Sequence, residues 1–183
     1  FMCSGFNGTL NLSNSILSIG NNAFFSCNNF KSQLILPNAL NRISEYSFYY
    51  CNSFTGSLKI PINVTEIAKY AFYRCSGFDG KLILQNRIKT ISSNSFNGCS
   101  GFTGTLDIPN SVNITDNYAF SGCSNFTGEL NIPDNINYIG RDCFAFCFSL
   151  NKLTLNCQIT ILETRVFSNC SSLSGTLDIP DSV

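Results

Sequence analysis

Apolar residues recur along the chain in columns that keep one spacing from end to end. A cysteine marks each unit, and successive cysteines lie 24 residues apart six times and then 23. The column consists of Cys3, Cys27, Cys51, Cys75, Cys99, Cys123, Cys147 and Cys170. Phenylalanine stands three residues before all but the first, and Phe or Leu stands three residues after each. A period of this length is the mark of a repeat architecture.

Each unit contains a short strand pattern, in which a leucine is followed two residues later by leucine or isoleucine. Side chains alternate along a strand, so both members of the pair point to the same face. Proline lacks the backbone N–H and ends such a strand. It directly follows the pair in five units, at Pro37, Pro61, Pro109, Pro133 and Pro180.

Two further segments complete the unit. A second apolar pair at a spacing of three, such as Val64 and Ile67, predicts another short extended stretch. The Ala-Phe-x-x-Cys segment that follows has the apolar spacing of a short helical turn. No unit can bury its apolar residues alone, so the units must stack. The sequence predicts a repeat solenoid with one short parallel-sheet strand and one short helical or extended segment per coil of about 24 residues.

The domain organisation follows from the repeat. A solenoid is one continuous unit at any length, so residues 1–183 are interpreted as a single domain. Residues 1–12 and 173–183 continue the internal pattern and do not resemble the polar capping units that repeat arrays need. The chain is therefore expected to be a fragment of a longer array, and its uncapped ends allow weak end-to-end self-association.

Composition argues against several classes of function. Eleven basic and eleven acidic residues are scattered without a basic run, which argues against a nucleic-acid partner. No apolar stretch approaches the roughly 20 residues that span a bilayer, so no membrane insertion is expected within this segment. Histidine, the commonest general base and metal ligand, is absent. Acids such as Asp107 and Glu129 are too spread out for a glycosidase pair. We expect no cofactor, no metal and no enzymatic activity.

The ten cysteines admit two readings. Stacked coils could bring equivalent cysteines within disulfide range. A buried column of free thiols would equally explain a cysteine at the same place in every repeat. We favour free thiols, with Cys143 and Cys157 as extras outside the column. Asn-x-Ser/Thr sequons permit glycosylation in a secreted protein, although a chain rich in these residues also forms sequons by chance. They lie at Asn7, Asn11, Asn63, Asn113, Asn125 and Asn169.

Two units depart from the pattern. Residues 150–156 (LNKLTLN) are one residue shorter than their counterparts and match the L-x-x-L-x-L signature of a leucine-rich repeat. In residues 112–115 (VNIT) the isoleucine falls one position early. Either the coil bulges there, or Thr115 replaces an apolar core residue.

The combined columns resemble the BspA-like leucine-rich repeats of microbial and protozoan surface proteins. Residues 131–140 (NIPDNINYIG) carry part of that pattern, and residues 101–109 (GFTGTLDIP) resemble the form found in protozoan surface antigens. The resemblance implies a right-handed leucine-rich-repeat solenoid at a cell surface or outside the cell. It further implies adhesion to host cells or extracellular matrix, a host–pathogen interaction without a catalytic motif.

The outward strand positions vary while the core columns do not, as expected of a recognition surface. A neutral solvated face has the same appearance. The hypothesis is that a protein ligand lies along this row, with isoleucines as anchors and charged residues as orienting groups. These residues are Ile35, Lys59, Lys81, Ile83, Asp107 and Glu129. The alternative function is a structural spacer or self-associating stalk of a surface coat.

Overall fold

The computed structural model describes residues 5–183, which form a parallel solenoid of stacked coils. Cys3, the first member of the cysteine column, lies outside these residues. The described chain contains short strands joined by turns and no helix. The strands are β1 (Ser18–Ile19), β2 (Arg42–Ile43), β3 (Leu58–Lys59), β4 (Glu66–Ile67), β5 (Leu82–Ile83), β6 (Thr90–Ile91), β7 (Ile114–Thr115), β8 (Gly128–Ile132), β9 (Tyr138–Ile139) and β10 (Leu150–Leu155). The predicted repeat solenoid is confirmed.

The most extensive sheet is built from the second extended stretch of each coil. It has six parallel strands in the order β1-β2-β4-β6-β7-β9. Ile43 pairs with Ile67, and Ile67 pairs with Ile91, so equivalent isoleucines form one buried ladder. Thr115 takes the isoleucine position of this ladder, opposite both Ile91 and Ile139, and is fully buried. The early isoleucine therefore produces no bulge, and a threonine replaces the apolar contact.

The leucine-pair strands do not form the one continuous sheet that the sequence pattern suggested. They make two separate two-stranded sheets, β3 with β5 and β8 with β10. Isolated bridges extend the pairing between Gln33 and Thr55 and between Gly104 and Phe126. Proline explains why the pairing of these strands is interrupted. Pro61, Pro109 and their equivalents directly follow the leucine pair and have no N–H to continue the hydrogen-bond ladder. The second stretch contains no proline and pairs without interruption.

The segment expected to be a helical turn is a series of tight turns. In the coil that ends at Cys51, the N–H of Tyr49 donates to the carbonyl of Tyr46 at 3.2 Å, and that of Cys51 donates to Phe48 at 3.1 Å. The N–H groups of the residues in between donate to the next coil. That of Phe48 donates to the carbonyl of Ala71 at 2.8 Å, and that of Tyr50 donates to the carbonyl of Tyr73 at 2.7 Å. Half of the backbone donors thus close turns while the other half join coils.

Two phenylalanine columns form the centre of the core. Phe48, Phe72, Phe96, Phe120 and Phe144 are fully buried. Rings of the column from Phe24 to Phe167 stack with centroids 5.2 to 5.7 Å apart. The second column, from Phe6 to Phe126, stacks at 5.0 to 6.2 Å. Each coil buries its aromatic rings against equivalent rings above and below, and this stacking fixes the register of the outward positions.

Candidate protein-binding face

The outward strand row forms an exposed surface, which we call the strand face and define by Ile35, Lys59, Lys81, Ile83, Asp107 and Glu129. Ile35 is 68% exposed and Ile83 is 39% exposed. Lys59 is paired with Ile83 in the register of β3 and β5, so a cation and an apolar side chain are direct neighbours. Their exposure follows from strand alternation, since Leu58 and Leu82 beside them point into the core.

A groove of about 320 Å³ opens on the strand face between neighbouring coils. Ile35 and Lys59 both line it, together with Pro61, Ile62 and Gln85. Ile62 is 46% exposed and was not anticipated from the sequence. The available signal was its position directly after a strand-ending proline, where the chain turns at the surface. The groove combines two exposed isoleucines with one lysine.

The remaining strand-face charges do not line this groove. Lys81 is exposed, and its backbone N–H donates to Ser57 Oγ at 2.9 Å. Asp107 is exposed and accepts a hydrogen bond from Thr105 Oγ1 at 3.3 Å. The structure therefore unites Ile35 and Lys59 in one depression, places Ile83 beside Lys59, and leaves the two acids on coils further along.

The carboxylate of Glu129 already has partners within the chain. It accepts a hydrogen bond from Thr154 Oγ1 at 2.5 Å and forms an ion pair with Lys152 Nζ at 3.1 Å. These contacts, that of Thr154 first, hold the pKa of Glu129 below its ordinary value. Both members of the ion pair are solvent-exposed, so water and salt weaken the pair. The local charge at this end of the strand face is nevertheless largely compensated.

The thiols are not arranged for chemistry. All nine cysteines from Cys27 to Cys170 are buried, and the eight from Cys51 onwards are free thiols. The expected column of free, buried thiols is thus confirmed from Cys51 to Cys170. Burial raises the pKa of Cys51 and of Cys143 to about 12, so neither supplies a thiolate at neutral pH. Within residues 5–183, no group of three or more potential metal ligands comes together.

The architecture is that of a repeat scaffold with an extended surface, the class of fold that serves as a protein-interaction module. BspA type leucine-rich repeat regions match the sequence in six copies, over residues 1–100 and 55–174. The chain belongs to this family. No match was found among curated proteins. In the part of the chain that the structure describes, no helix has the length and apolar character to cross a bilayer.

Two crystal structures show the same fold. A leucine-rich repeat protein from Bacteroides ovatus is 27% identical with a TM-score of 0.59, over 86% of this chain and 34% of its own. A leucine-rich cell surface protein from Faecalibacterium prausnitzii is 24% identical with a TM-score of 0.64. That match covers 81% of this chain and 39% of the bacterial one. The chain thus spans little more than a third of the length of these similar proteins.

Proposed function

We propose that the strand face binds a protein ligand and that the chain acts in adhesion at a cell surface, to host cells or extracellular matrix. The observation that carries this proposal is the groove in which Ile35, Ile62 and Lys59 meet. Family membership supports a protein-interaction role and a surface location, since one similar structure is described as a cell surface protein.

Ile35 and Ile62 in the groove, and Ile83 beside it, are the anchors of the proposed complex. Burying apolar surface yields about 25 cal/mol per Å², and exposed Ile35 and Ile62 have surface left to bury. An apolar residue of the ligand that enters the groove would also contact Pro61 at its base. Such a centre, surrounded by polar groups, matches the anatomy of protein interfaces.

The charges of the strand face orient the ligand. Lys59 and Lys81 lie on the coils that carry the apolar anchors, whereas Asp107 and Glu129 follow further along. An elongated ligand with acidic groups would bind with those groups next to the lysines, so this charge distribution would fix its orientation. Complementary charge acts mainly on the association rate and on the register of the bound partner. The lysines are the main orienting groups, since Glu129 is paired with Lys152.

The test compares substitutions on two sides of the molecule. Binding of the purified chain to intact host cells and to immobilised matrix proteins is measured for Ile35→Asn in the groove, and for Ile83→Asn and Lys81→Glu beside it. Each should weaken binding more than about tenfold while the unfolding temperature stays unchanged. Ile161→Asn and Lys89→Glu are the matched controls, because Ile161 and Lys89 are exposed away from the strand face. Absence of binding by the wild-type chain, or equal losses in both sets, would exclude this role.

The alternative role is a spacer or self-associating stalk of a surface coat. Sedimentation of the chain at rising concentration, beside the binding assay, distinguishes the two functions. Concentration-dependent association without binding to cells or matrix would favour the stalk.

A further inference from the structure

A second exposed surface lies on the turn side of two neighbouring coils. We call it the tyrosine face and define it by Tyr46, Tyr49, Tyr50, Tyr70, Tyr73 and Arg74. It contains five of the seven tyrosines of the chain. All five are partly exposed, and the strand face does not include them.

The rings of the tyrosine face are held rigidly. Tyr46 stacks on Tyr70 with centroids 4.8 Å apart, and Tyr49 stacks on Tyr73 at the same distance. Tilted contacts join the two stacks at 5.6 Å within one coil and 5.5 Å within the next. A ligand therefore meets a preorganised aromatic surface, and little side-chain freedom is lost when it binds.

The fold does not require aromatic residues at these positions. Tyr46, Tyr50, Tyr70 and Arg74 have φ between 53° and 62°, a region that bulky residues rarely adopt. In the following coil the positions equivalent to Tyr70, Tyr73 and Arg74 are Asn94, Asn97 and Gly98, residues that suit such turns. Since asparagine, serine and glycine fill the same left-handed positions in other coils, the backbone does not select tyrosine or arginine here.

Arg74 is the cation of the tyrosine face. Its guanidinium lies 5.8 Å from the ring centre of Tyr50 and 5.6 Å from that of Tyr73, and it donates to Tyr50 Oη at 3.3 Å. Among residues 5–183 it has no acidic partner within ion-pair distance. Arg141 is different: it also lies over a tyrosine, Tyr118, but its guanidinium is 3.7 Å from the carboxylate of Asp142.

A depression of about 280 Å³ adjoins Arg74. Tyr50, Asn52, Ser76 and Ser100 provide hydroxyl and amide groups along it, and Gly98 lies beneath the arginine. A Cβ at Gly98 would come within 2.9 Å of Arg74 Cγ, so the glycine keeps the space open. The depression offers one uncompensated cation and neutral hydrogen-bonding groups, which together suit a carboxylate.

We infer that the tyrosine face binds an acidic peptide segment of a partner protein. An Asp or Glu carboxylate of the segment occupies the depression against Arg74, and flanking apolar residues pack on the edges of the stacked tyrosines. Tyrosine and arginine are the residues most enriched among the dominant contributors to protein interfaces. The uncompensated cation favours an acidic segment over a neutral polysaccharide. The site is independent of the strand face.

The test uses two libraries of short displayed peptides that differ at one fixed central residue, Glu in one and Gln in the other. Both are selected on the immobilised 183-residue chain. We expect enrichment from the Glu library only, with apolar residues next to the fixed position. Synthetic peptides of the selected sequences should bind Arg74→Glu and Tyr73→Ala about tenfold or more weakly than the wild-type chain. Arg74→Lys keeps the charge but not the planar guanidinium, and should show an intermediate loss.

Arg141→Glu is the matched control, since it removes an arginine stacked on a tyrosine at a site that is already compensated. It should bind the selected peptides like the wild-type chain, as should Ile83→Asn on the strand face. Unfolding temperatures of all variants confirm that they are folded. Equal enrichment of the Gln library, no enrichment at all, or peptide binding that Arg74→Glu leaves intact would overturn the proposal. If Ile83→Asn reduced binding to cells while peptide binding stayed unchanged, the strand face and the tyrosine face would be shown to act separately.

Discussion

The Sγ atom of Cys99 lies 2.9 Å from the carbonyl oxygen of Phe72 in the preceding coil. The same carbonyl accepts the N–H of Cys75 at 3.2 Å, so a backbone and a thiol donor share it. The relationship recurs between Cys51 and Phe24, Cys75 and Phe48, Cys123 and Phe96, Cys147 and Phe120, and Cys170 and Phe144. Cysteine combines a small apolar volume with a weak donor, which explains why this column contains cysteine.

The buried thiols predict destabilisation at alkaline pH. Burial raises the pKa of Cys51 from an ordinary value of 9.0 to about 12. Between these values the unfolded thiol loses its proton and the folded thiol keeps it, so unfolding is favoured as pH rises. The contribution of each such thiol to the free energy of unfolding should be constant below about pH 8 and fall between pH 9 and 12, by about 1.4 kcal/mol per pH unit. Denaturant titrations across this range measure the slope.

Serine variants provide the control for this slope. Cys51→Ser and Cys75→Ser replace a titrating thiol with a hydroxyl that does not ionise in this range. Their stability at neutral pH should fall, but the alkaline slope should become shallower with each substitution. A slope that is identical in all variants would assign the alkaline transition to other groups. Thiol reagents should likewise find the nine described cysteines unreactive until the chain unfolds.

The phenylalanine stack predicts a large loss on truncation. Phe96 is fully buried between Phe72 and Phe120, with centroid distances of 5.4 and 5.5 Å. Phe96→Ala should reduce the free energy of unfolding by about 3–5 kcal/mol, because the neighbouring rings cannot collapse into the vacated space. Phe148→Ala, at a ring 46% exposed, should cost much less. Chemical denaturation followed by circular dichroism compares the two, and equal costs would contradict a stacked core.

Two buried serines predict a gain in stability. Ser47 and Ser95 occupy the column in which Ala71 and Ala119 also stand, and both are fully buried. Within the described residues their hydroxyl oxygens have no hydrogen-bond partner. Ser95→Ala should therefore raise the free energy of unfolding by about 1 kcal/mol, because it removes an unsatisfied polar group from the core. The reverse change at Ala119, to serine, should lower it, and a stabilising Ala119→Ser would contradict this account.

The ion pair between Asp142 and Arg165 predicts a loss of stability in acid. The Asp142 carboxylate is buried and accepts two hydrogen bonds from Arg165, at 2.9 and 3.0 Å. These bonds hold the pKa of Asp142 below its ordinary value of 3.8. The contribution is present above that value and is lost as pH falls through the lower, folded pKa. Asp142→Asn should therefore reduce stability at neutral pH and flatten its fall below about pH 4.

Arginine variants separate the contributions of the two cations near Asp142. Arg165→Gln removes both short hydrogen bonds to Asp142, whereas Arg141→Gln removes a contact of 3.7 Å to that carboxylate and the hydrogen bonds of Arg141 to Tyr118 Oη. Stability measured against pH should change more for Arg165→Gln. A larger effect of Arg141→Gln would show that the distances do not reflect the strength of the two contacts.

The repeat columns were sufficient to predict the core, because a large apolar residue at a fixed place in every coil has nowhere else to go. Phe96 and Cys99 are buried as the pattern required. The pattern did not reveal which extended stretch forms the continuous sheet. Both stretches place apolar residues inward, so their periodicity is the same. Strand pairing depends on backbone N–H donors, and a proline such as Pro61 has none.

The outward row was also predictable, since strand alternation places Ile35 and Lys59 opposite the core. That Ile62 lines the same groove was not predictable, because the pattern does not report the conformation of the turn after Pro61. The tyrosine face shows the same limit. Tyr46 and Tyr70 are visible in the sequence at equivalent positions, but the stacking of their rings is a property of coils in register.

Contacts between coils join residues about one repeat apart, 27 residues for Cys99 and Phe72 and 24 for Leu58 and Leu82. A gene segment that encodes one whole coil can therefore be duplicated or lost by recombination, and every remaining residue still finds an equivalent neighbour. A segment of half that length would set phenylalanine against polar turns. The 23-residue step before Cys170 shows the tolerance of this rule, since the pairing of β10 with β8 shifts register between Leu150 and Lys152 and then continues with partners 23 residues apart. Whole-coil changes would move one binding surface along the molecule relative to another, so genetic copying alone could alter their spacing.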